Sequence, residues 1–225
     1  MSHFVSIHPL SEVRIASGDT TLRGDLAVPD DARGLVLFAD AGGRHHARCR
    51  QVAMELQHAG LATLLLDLLT PDEAAAGQPS RDHLLDLPLL TRRLENATAW
   101  VAEQDALRQL PLGYVGSGLG SAAALIAAAR LGRQVSAIAL LGGRPDLAGP
   151  AVLAAVKAST LLVLGNKGSG GIDLNTQAYQ HLQGERSLAA VGGAGHLFEE
   201  AGAVAQAAEM AASWFGAHML EAETA

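Results

Sequence analysis

A chain of 225 residues, 49% hydrophobic and 17% charged, can bury a large core, and its length suits one α/β domain spanning residues 1–225. Its net charge is −7 and its Lys and Arg scatter without forming a stripe, which argues against nucleic acid or an anionic membrane as partner. The single cysteine, Cys49, excludes an internal disulfide and fits the cytoplasm; the opening MSHFVSIHPLSEVR has no signal-peptide core, and no apolar run reaches the ~20 residues that span a bilayer.

In chain order, Glu12–Ala16 and Thr21–Val28 read as a hairpin around Ser17-Gly18-Asp19. Gly34–Ala39 is a continuous apolar run, the pattern of a strand buried on both faces. Arg44–Ala59 reads as a helix with Cys49, Val52, Ala53 and Leu56 on one side, ended by Gly60. Leu61–Leu66 is the next strand. A longer connection, Leu68–Pro88, is partly helical by pattern and placed to cover a pocket. Leu89–Glu103 is helical, with Leu90, Leu94, Ala97 and Val101 along one face. Leu112–Gly116 is a strand that runs into the turn Gly116-Ser117-Gly118-Leu119-Gly120, and a helix of small residues follows to about Leu131. Val135–Leu141 and Thr160–Gly165 are buried strands, and Ser187–Val191 is a weaker one. Glu199–Leu220 reads as a closing helix, with a frayed tail at Glu221–Ala225. Repeated β-then-α units imply parallel strands with right-handed crossovers.

Ligands of open α/β sheets bind beyond the carboxyl ends of the strands. Four such ends carry glycine or polar residues: Ala39–Gly43, Gly116–Gly120, Gly165–Gly168 and Gly195-His196. GLATLLLDLLT (60–70), GYVGSGLGSAAALIAAAR (113–130), GGRPDLAGP (142–150) and GAGHLFEE (193–200) resemble the dienelactone hydrolase family, including forms fused to phosphoribosyltransferases. The resemblance covers nearly the whole chain. It implies an α/β-hydrolase fold: a mostly parallel twisted sheet of 7–8 strands, helices on both faces and no large cap domain. It also implies the site order oxyanion loop, nucleophile, acid, histidine.

Against that pattern the catalytic positions are altered. The family's elbow, Gly-x-Ser-x-Gly, aligns with Gly116–Gly120 and puts Gly118 at the nucleophile position. Ser117 falls one place early, where its side chain is expected to point away from the pocket. The acid position aligns with Gly168. Asp173 lies five residues further on, at an expected helix start, where a carboxylate suits the helix dipole. His196 matches the family's histidine. In the shortened oxyanion loop Asp40-Ala41 replaces a His-Gly pair, followed by Gly42-Gly43-Arg44.

Each candidate also has a structural reading. His196 is either a working acid/base or the relic of a lost triad. Asp40 is either a loop cap or the partner of His196 in moving a proton or activating water, since a carboxylate there opposes an oxyanion. Asp146, after Arg144-Pro145, is a candidate displaced acid. Leu119, Ala41, Gly42, Ser117 and Arg44 are the oxyanion or ligand-binding candidates. His45, His46 and Cys49 are spaced to share a helix face, yet Cys49 also fits the buried stripe, and neither a metal nor another cofactor is implied. Cys49 is a poor replacement nucleophile in mid-helix. Ser117 and Ser121 suit turn and helix-start roles. His83 and Asp86 suit the solvated connection.

Three functional readings follow. One is an enzyme that acts on a small ester, lactone or other carbonyl ligand without a serine, using His196 in hydrolysis or in lyase or isomerase chemistry. The second is a pseudo-hydrolase that keeps the pocket for binding or scaffolding. The third is an ordinary ester hydrolase whose nucleophile is Ser117 or Ser121. A cytoplasmic protein, alone or as a homodimer, is expected in each case.

Overall fold

The computed structural model describes residues 10–40, 42–76, 86–167, 170–196 and 198–220. Its strands are β1 (Ser11–Ser17), β2 (Thr20–Ala27), β3 (Leu35–Ala39), β4 (Ala62–Leu66), β5 (Leu112–Gly116), β6 (Ala137–Leu141), β7 (Ser159–Gly165) and β8 (Arg186–Val191). They form one eight-stranded sheet in the order β1-β2-β4-β3-β5-β6-β7-β8. The β1–β2 and β2–β4 pairs are antiparallel and every pair from β4 to β8 is parallel. This is the mostly parallel α/β sheet expected, at the upper end of the expected strand count.

The helices are α1 (Ala47–His58), α2 (Pro71–Ala76), α3 (Leu87–Glu103), α4 (Gly120–Leu131), α5 (Pro150–Ala155), α6 (Gly170–His181) and α7 (Ala203–Phe215). Alternate residues of β3 feed two separate cores, because successive strand side chains point to opposite faces. Leu35, Leu37 and Ala39 join Leu90, Leu94 and the alanines of α4, whereas Val36 and Phe38 join Cys49, Val52 and Leu56 of α1 and Ala207, Ala211 and Phe215 of α7. Helices therefore cover both faces. Every residue of β3, β4 and β5 is buried, and aliphatic side chains predominate there, with Phe38 and Tyr114 the two aromatics.

Two expected helix starts shift by three residues or more. The helix read from Arg44 starts at Ala47, because the Arg44 backbone N–H donates to Asp67 Oδ1 at 2.9 Å and its side chain is drawn the same way. The closing helix read from Glu199 starts at Ala203, after Gly202 adopts a left-handed φ of 78°. Glu200 instead accepts from the Gly195 N–H at 2.9 Å. Beyond Phe215 the chain widens into one π-helical turn, Gly216–Leu220. The short helix α5 and the 3₁₀ turns at Gly132–Gln134 and Pro145–Ala148 had no sequence reading of their own. Of the Leu68–Pro88 connection, Pro71–Ala76 is helical, and Arg93 of α3 grips it through Glu73 at 2.6 and 2.8 Å. Residues 77–85, His83 among them, and the tail Glu221–Ala225 lie outside the described residues. No helix among the described residues is long and apolar enough to cross a membrane.

Candidate functional site

Four parallel strands end side by side at Ala39, Gly116, Leu141 and Gly165. Beyond these ends lies a cavity of about 650 Å³, where ligands of such sheets bind. Asp40 and Gly42 line it after β3, Ser117 and Gly118 after β5, and Gly142, Gly143 and Arg144 after β6. His46 and Arg48 enter from the start of α1, Leu174 and Asn175 from α6, and His196 from the segment after β8.

The β5–α4 connection is a sharp turn. Gly118 sits at φ 55°, in the left-handed region where a side chain brings steric cost. A Cβ at Gly118 would meet no atom within 4 Å, so the space in front of it is open. Two residues on, a Cβ at Gly120 would stand 1.7 Å from the Ala39 carbonyl oxygen. The first turn of α4 therefore packs directly on the backbone at the end of β3.

Asp40 is 7% exposed and both of its oxygens are engaged. The Gly42 N–H donates to Oδ1 at 2.6 Å, and the Ser117 hydroxyl donates to Oδ2 in a very short hydrogen bond. Arg48 Nη2 lies 3.8 Å from Oδ2. Burial, and after it the Asp40 charge, push the Cys49 thiol well up, so Cys49 stays a neutral thiol. Ser117 thus departs from expectation: its side chain reaches the cavity wall and holds Asp40 instead of pointing away. Of the two readings of Asp40, the loop cap is the one seen, through the Gly42 N–H, and among the described residues no Asp40–His196 pair is formed. His196 is exposed on the cavity side, and no described residue is hydrogen-bonded to its ring.

The remaining candidates separate. Arg44 does not line the cavity. Its guanidinium bonds to Asp67 Oδ2 at 2.9 Å and Asp25 Oδ1 at 2.5 Å, with Glu12 at 3.4 Å, tying the β1–β2 hairpin to the loop before α1. Burial would lower its pKa, but the bonds to Asp25 and Asp67 outweigh that and raise it. Asp146 is not a free acid either, because Arg144 grips both of its oxygens at 2.8 and 2.7 Å. Leu119 caps the start of α4, its side chain packed against the core; only its backbone can serve a ligand. Ala41 and Gly168 lie outside the described residues. Ser121 is fully buried and donates to the Gly142 carbonyl at 2.8 Å, a structural role. Asp86 caps α3 through the Leu89 N–H at 2.9 Å, and Asp173 lies in the first turn of α6. His45 and Cys49 diverge: His45 turns to Arg50 at 3.0 Å while Cys49 is buried.

Sequence reading missed Asn175, His46 and Arg48 as cavity residues. Asn175 is 2% exposed, and its Nδ2 donates to the carbonyls of Gly171 at 2.8 Å and Gly143 at 3.3 Å. Nothing in the local pattern of α6 distinguishes it from a solvent-facing helix polar residue. Only the tertiary approach of Gly143 does.

No family model matches the chain. Among solved structures, it is similar to a dienelactone hydrolase from Anabaena variabilis, with 41% identity, a TM-score of 0.89, and coverage of 94% of this chain and 100% of that one. A dienelactone hydrolase-like promiscuous phosphotriesterase from metagenomic libraries shares the fold at 20% identity and a TM-score of 0.76 over 94% of this chain and 98% of that one. Proteins from two strains of Mycobacterium tuberculosis, each named "Putative phosphoribosyl transferase", are 43% identical over 210 residues, 92% of this chain and 46% of theirs. The chain spans about half the length of these curated relatives. The match to the Anabaena enzyme spans all of that protein, in sequence and in fold, and on it the chain belongs to the dienelactone hydrolase family of α/β-hydrolase-fold proteins.

Proposed function

We propose that the chain takes a small carbonyl compound, such as an ester or lactone, into this cavity and acts on it without an acyl-serine intermediate, with His196 as the acid/base. The observation that carries the reading is Gly118. It holds the left-handed turn between β5 and α4, in front of open cavity space, and offers no atom to acylate. Across the same cavity, His196 supplies an imidazole, a group able to accept or donate a proton. A water or an activated C–H is the natural partner for such a base. Catalysis of this kind would show as activated-ester hydrolysis, or as proton exchange on a carbonyl compound, that falls at least about tenfold in His196→Ala. Activity indifferent to His196 would end the reading.

One observation favours a second reading, that of a silent pseudo-hydrolase that binds or scaffolds. An acid/base histidine is normally oriented by a partner on its other nitrogen. Among the described residues none bonds to the His196 ring, and Asp40 and Asp146 are both committed elsewhere. In that case the cavity binds a ligand with the same affinity in His196→Ala and no turnover is seen. The phosphoribosyl transferase name of the longer mycobacterial proteins concerns chains about twice this length. The present chain corresponds to a hydrolase-like portion of them, and phosphoribosyl transfer is not assigned to the cavity described here. The site is proposed to work in the cytoplasm.

A further inference from the structure

We infer that the ligand of this cavity is rich in hydroxyl groups: a sugar-like carbonyl compound, of which a polyhydroxylated lactone is the simplest form. The inference rests on the reading that the cavity holds a carbonyl ligand, and it adds which kind.

An acyl-transfer cavity aims hydrogen-bond donors at a carbonyl oxygen, which has only lone pairs to offer. This cavity is lined with acceptors at two independent places. The first is Asp40. A carboxylate offers about four lone-pair sites; the Gly42 N–H takes one on Oδ1 and the Ser117 hydroxyl one on Oδ2, with Arg48 Nη2 3.8 Å from Oδ2, so Asp40 keeps part of its accepting capacity. The second is Asn175. Its Nδ2 is committed to two backbone carbonyls, Gly171 and Gly143, which fixes the amide the other way round from a donor to the ligand. Its Oδ1 accepts from no described residue. The buried side-chain atoms without a partner among the described residues are Thr91 Oγ1, Arg93 Nε and Arg186 Nε. Asn175 Oδ1 is therefore reached by solvent although the residue is 98% covered, and the solvent space that Asn175 lines is the cavity.

A plain ester or unsubstituted lactone has no donor for either group. It would leave Asn175 Oδ1 without a donor and the remaining lone pairs of Asp40 unused, an arrangement that binding sites penalise. A hydroxyl donates and accepts at once, so a hydroxylated ligand satisfies Asp40 and Asn175 while its carbonyl and ring oxygens accept from the basic side chains on the rim. Leu141, Leu164 and Leu174 supply apolar contact for the C–H face of such a ring. A volume of about 650 Å³ has room for a ring of sugar size.

The test is equilibrium binding to the whole chain by titration calorimetry, which needs no turnover. D-Ribono-1,4-lactone is compared with γ-butyrolactone, the same ring without hydroxyls, and with the 2-deoxy form of the ribonolactone. The hydroxylated lactone is expected to bind at least about tenfold more tightly than γ-butyrolactone, with the deoxy form between them. Asp40→Asn, which keeps the shape and removes the charge, is expected to lose most of that preference. If γ-butyrolactone binds as well as the ribonolactone, the hydroxyl preference is overturned while the carbonyl-ligand reading survives. If neither binds, both fall. The ligand series on the unaltered protein decides the matter even if Asp40→Asn does not fold.

Discussion

The hydroxyl of Ser117 is held by the carboxylate of Asp40, each residue less than a tenth exposed. The contact joins the loop after β3 to the turn after β5, the two segments that in a serine hydrolase of this fold hold the oxyanion donors and the nucleophile. Here a hydroxyl and an acid face each other across that join, and Gly118, the next residue of the turn, lines the same cavity.

Treatment with a fluorophosphonate is expected to leave the protein unlabelled. Gly118 has no side chain, Ser121 is fully buried and Ser117 is tied to Asp40. Intact-mass measurement would show the outcome, and a stoichiometric adduct mapped to Ser117 or Ser121 would place the nucleophile there after all.

Gly118→Ser is expected to cost about 1–2 kcal/mol of stability, the penalty of a side chain in left-handed backbone. The space in front of Gly118 is empty to 4 Å, so no clash adds to it. Chemical denaturation of both proteins measures the difference. An unchanged or higher stability for the serine variant would mean that the turn relaxes out of its φ of 55°.

If Gly118 and Gly168 stand at the nucleophile and acid positions, supplying one group should do little and supplying both much more, because triad members act as a unit. Gly118→Ser supplies a hydroxyl and Gly168→Asp an acid for His196. The double variant is expected to hydrolyse p-nitrophenyl acetate far faster than either single one, and to lose that gain in His196→Ala. Initial rates for the four proteins settle it. A double variant no faster than the better single would show that these positions do not meet in one site.

The Glu73–Arg93 pair sets an acid-side limit on stability. The Arg93 hydrogen bonds, helped by the Thr70 N–H, hold the Glu73 carboxyl down to about 2, below its ordinary 4.5. A depressed carboxylate contributes its full stability above the unfolded value and loses it as pH falls through the folded one. The contribution is therefore complete above about pH 5 and fades towards pH 2. Glu73→Gln is expected to cost on the order of 2 kcal/mol at pH 7 and much less at pH 2.5. Urea melts of the two proteins across that range check it; a cost independent of pH would assign the pair no electrostatic role.

Arg44→Ala is expected to destabilise the fold by about 3 kcal/mol, because it strands the carboxylates of Asp25 and Asp67 around a vacated cation. Binding in the cavity should be unaffected in the folded fraction. A variant as stable as the parent would show that those carboxylates find other partners.

The fold was legible in the sequence because its signals are short-range. Continuous apolar runs such as Leu35–Ala39 mark strands buried on both faces, and the glycines after them mark the turns. The roles of the polar site residues were less legible. Asp40 and Ser117 are 77 positions apart, and Arg44 and Asp67 are 23 apart. No local period encodes which of them meet. Ser117 was expected to point away because elbow residues alternate, but the short loop after β3 brings a carboxylate to it. Asp146 reads as available because residues two apart do not face each other on a helix, and it is the 3₁₀ turn Pro145–Ala148 that folds Arg144 onto it.

The close backbone approach of Gly120 to Ala39 has counterparts at Gly142, whose Cβ would stand 2.6 Å from the His196 carbonyl oxygen, and at Gly165, whose Cβ would stand 2.2 Å from that of Gly195. The rim is stitched main chain to main chain. Side chains around it can then be exchanged without altering the outline of the chamber, so the architecture separates shape from reactivity. The open space in front of Gly118, bounded by this main-chain frame, can then accept side chains of different chemistry while the chamber keeps its form.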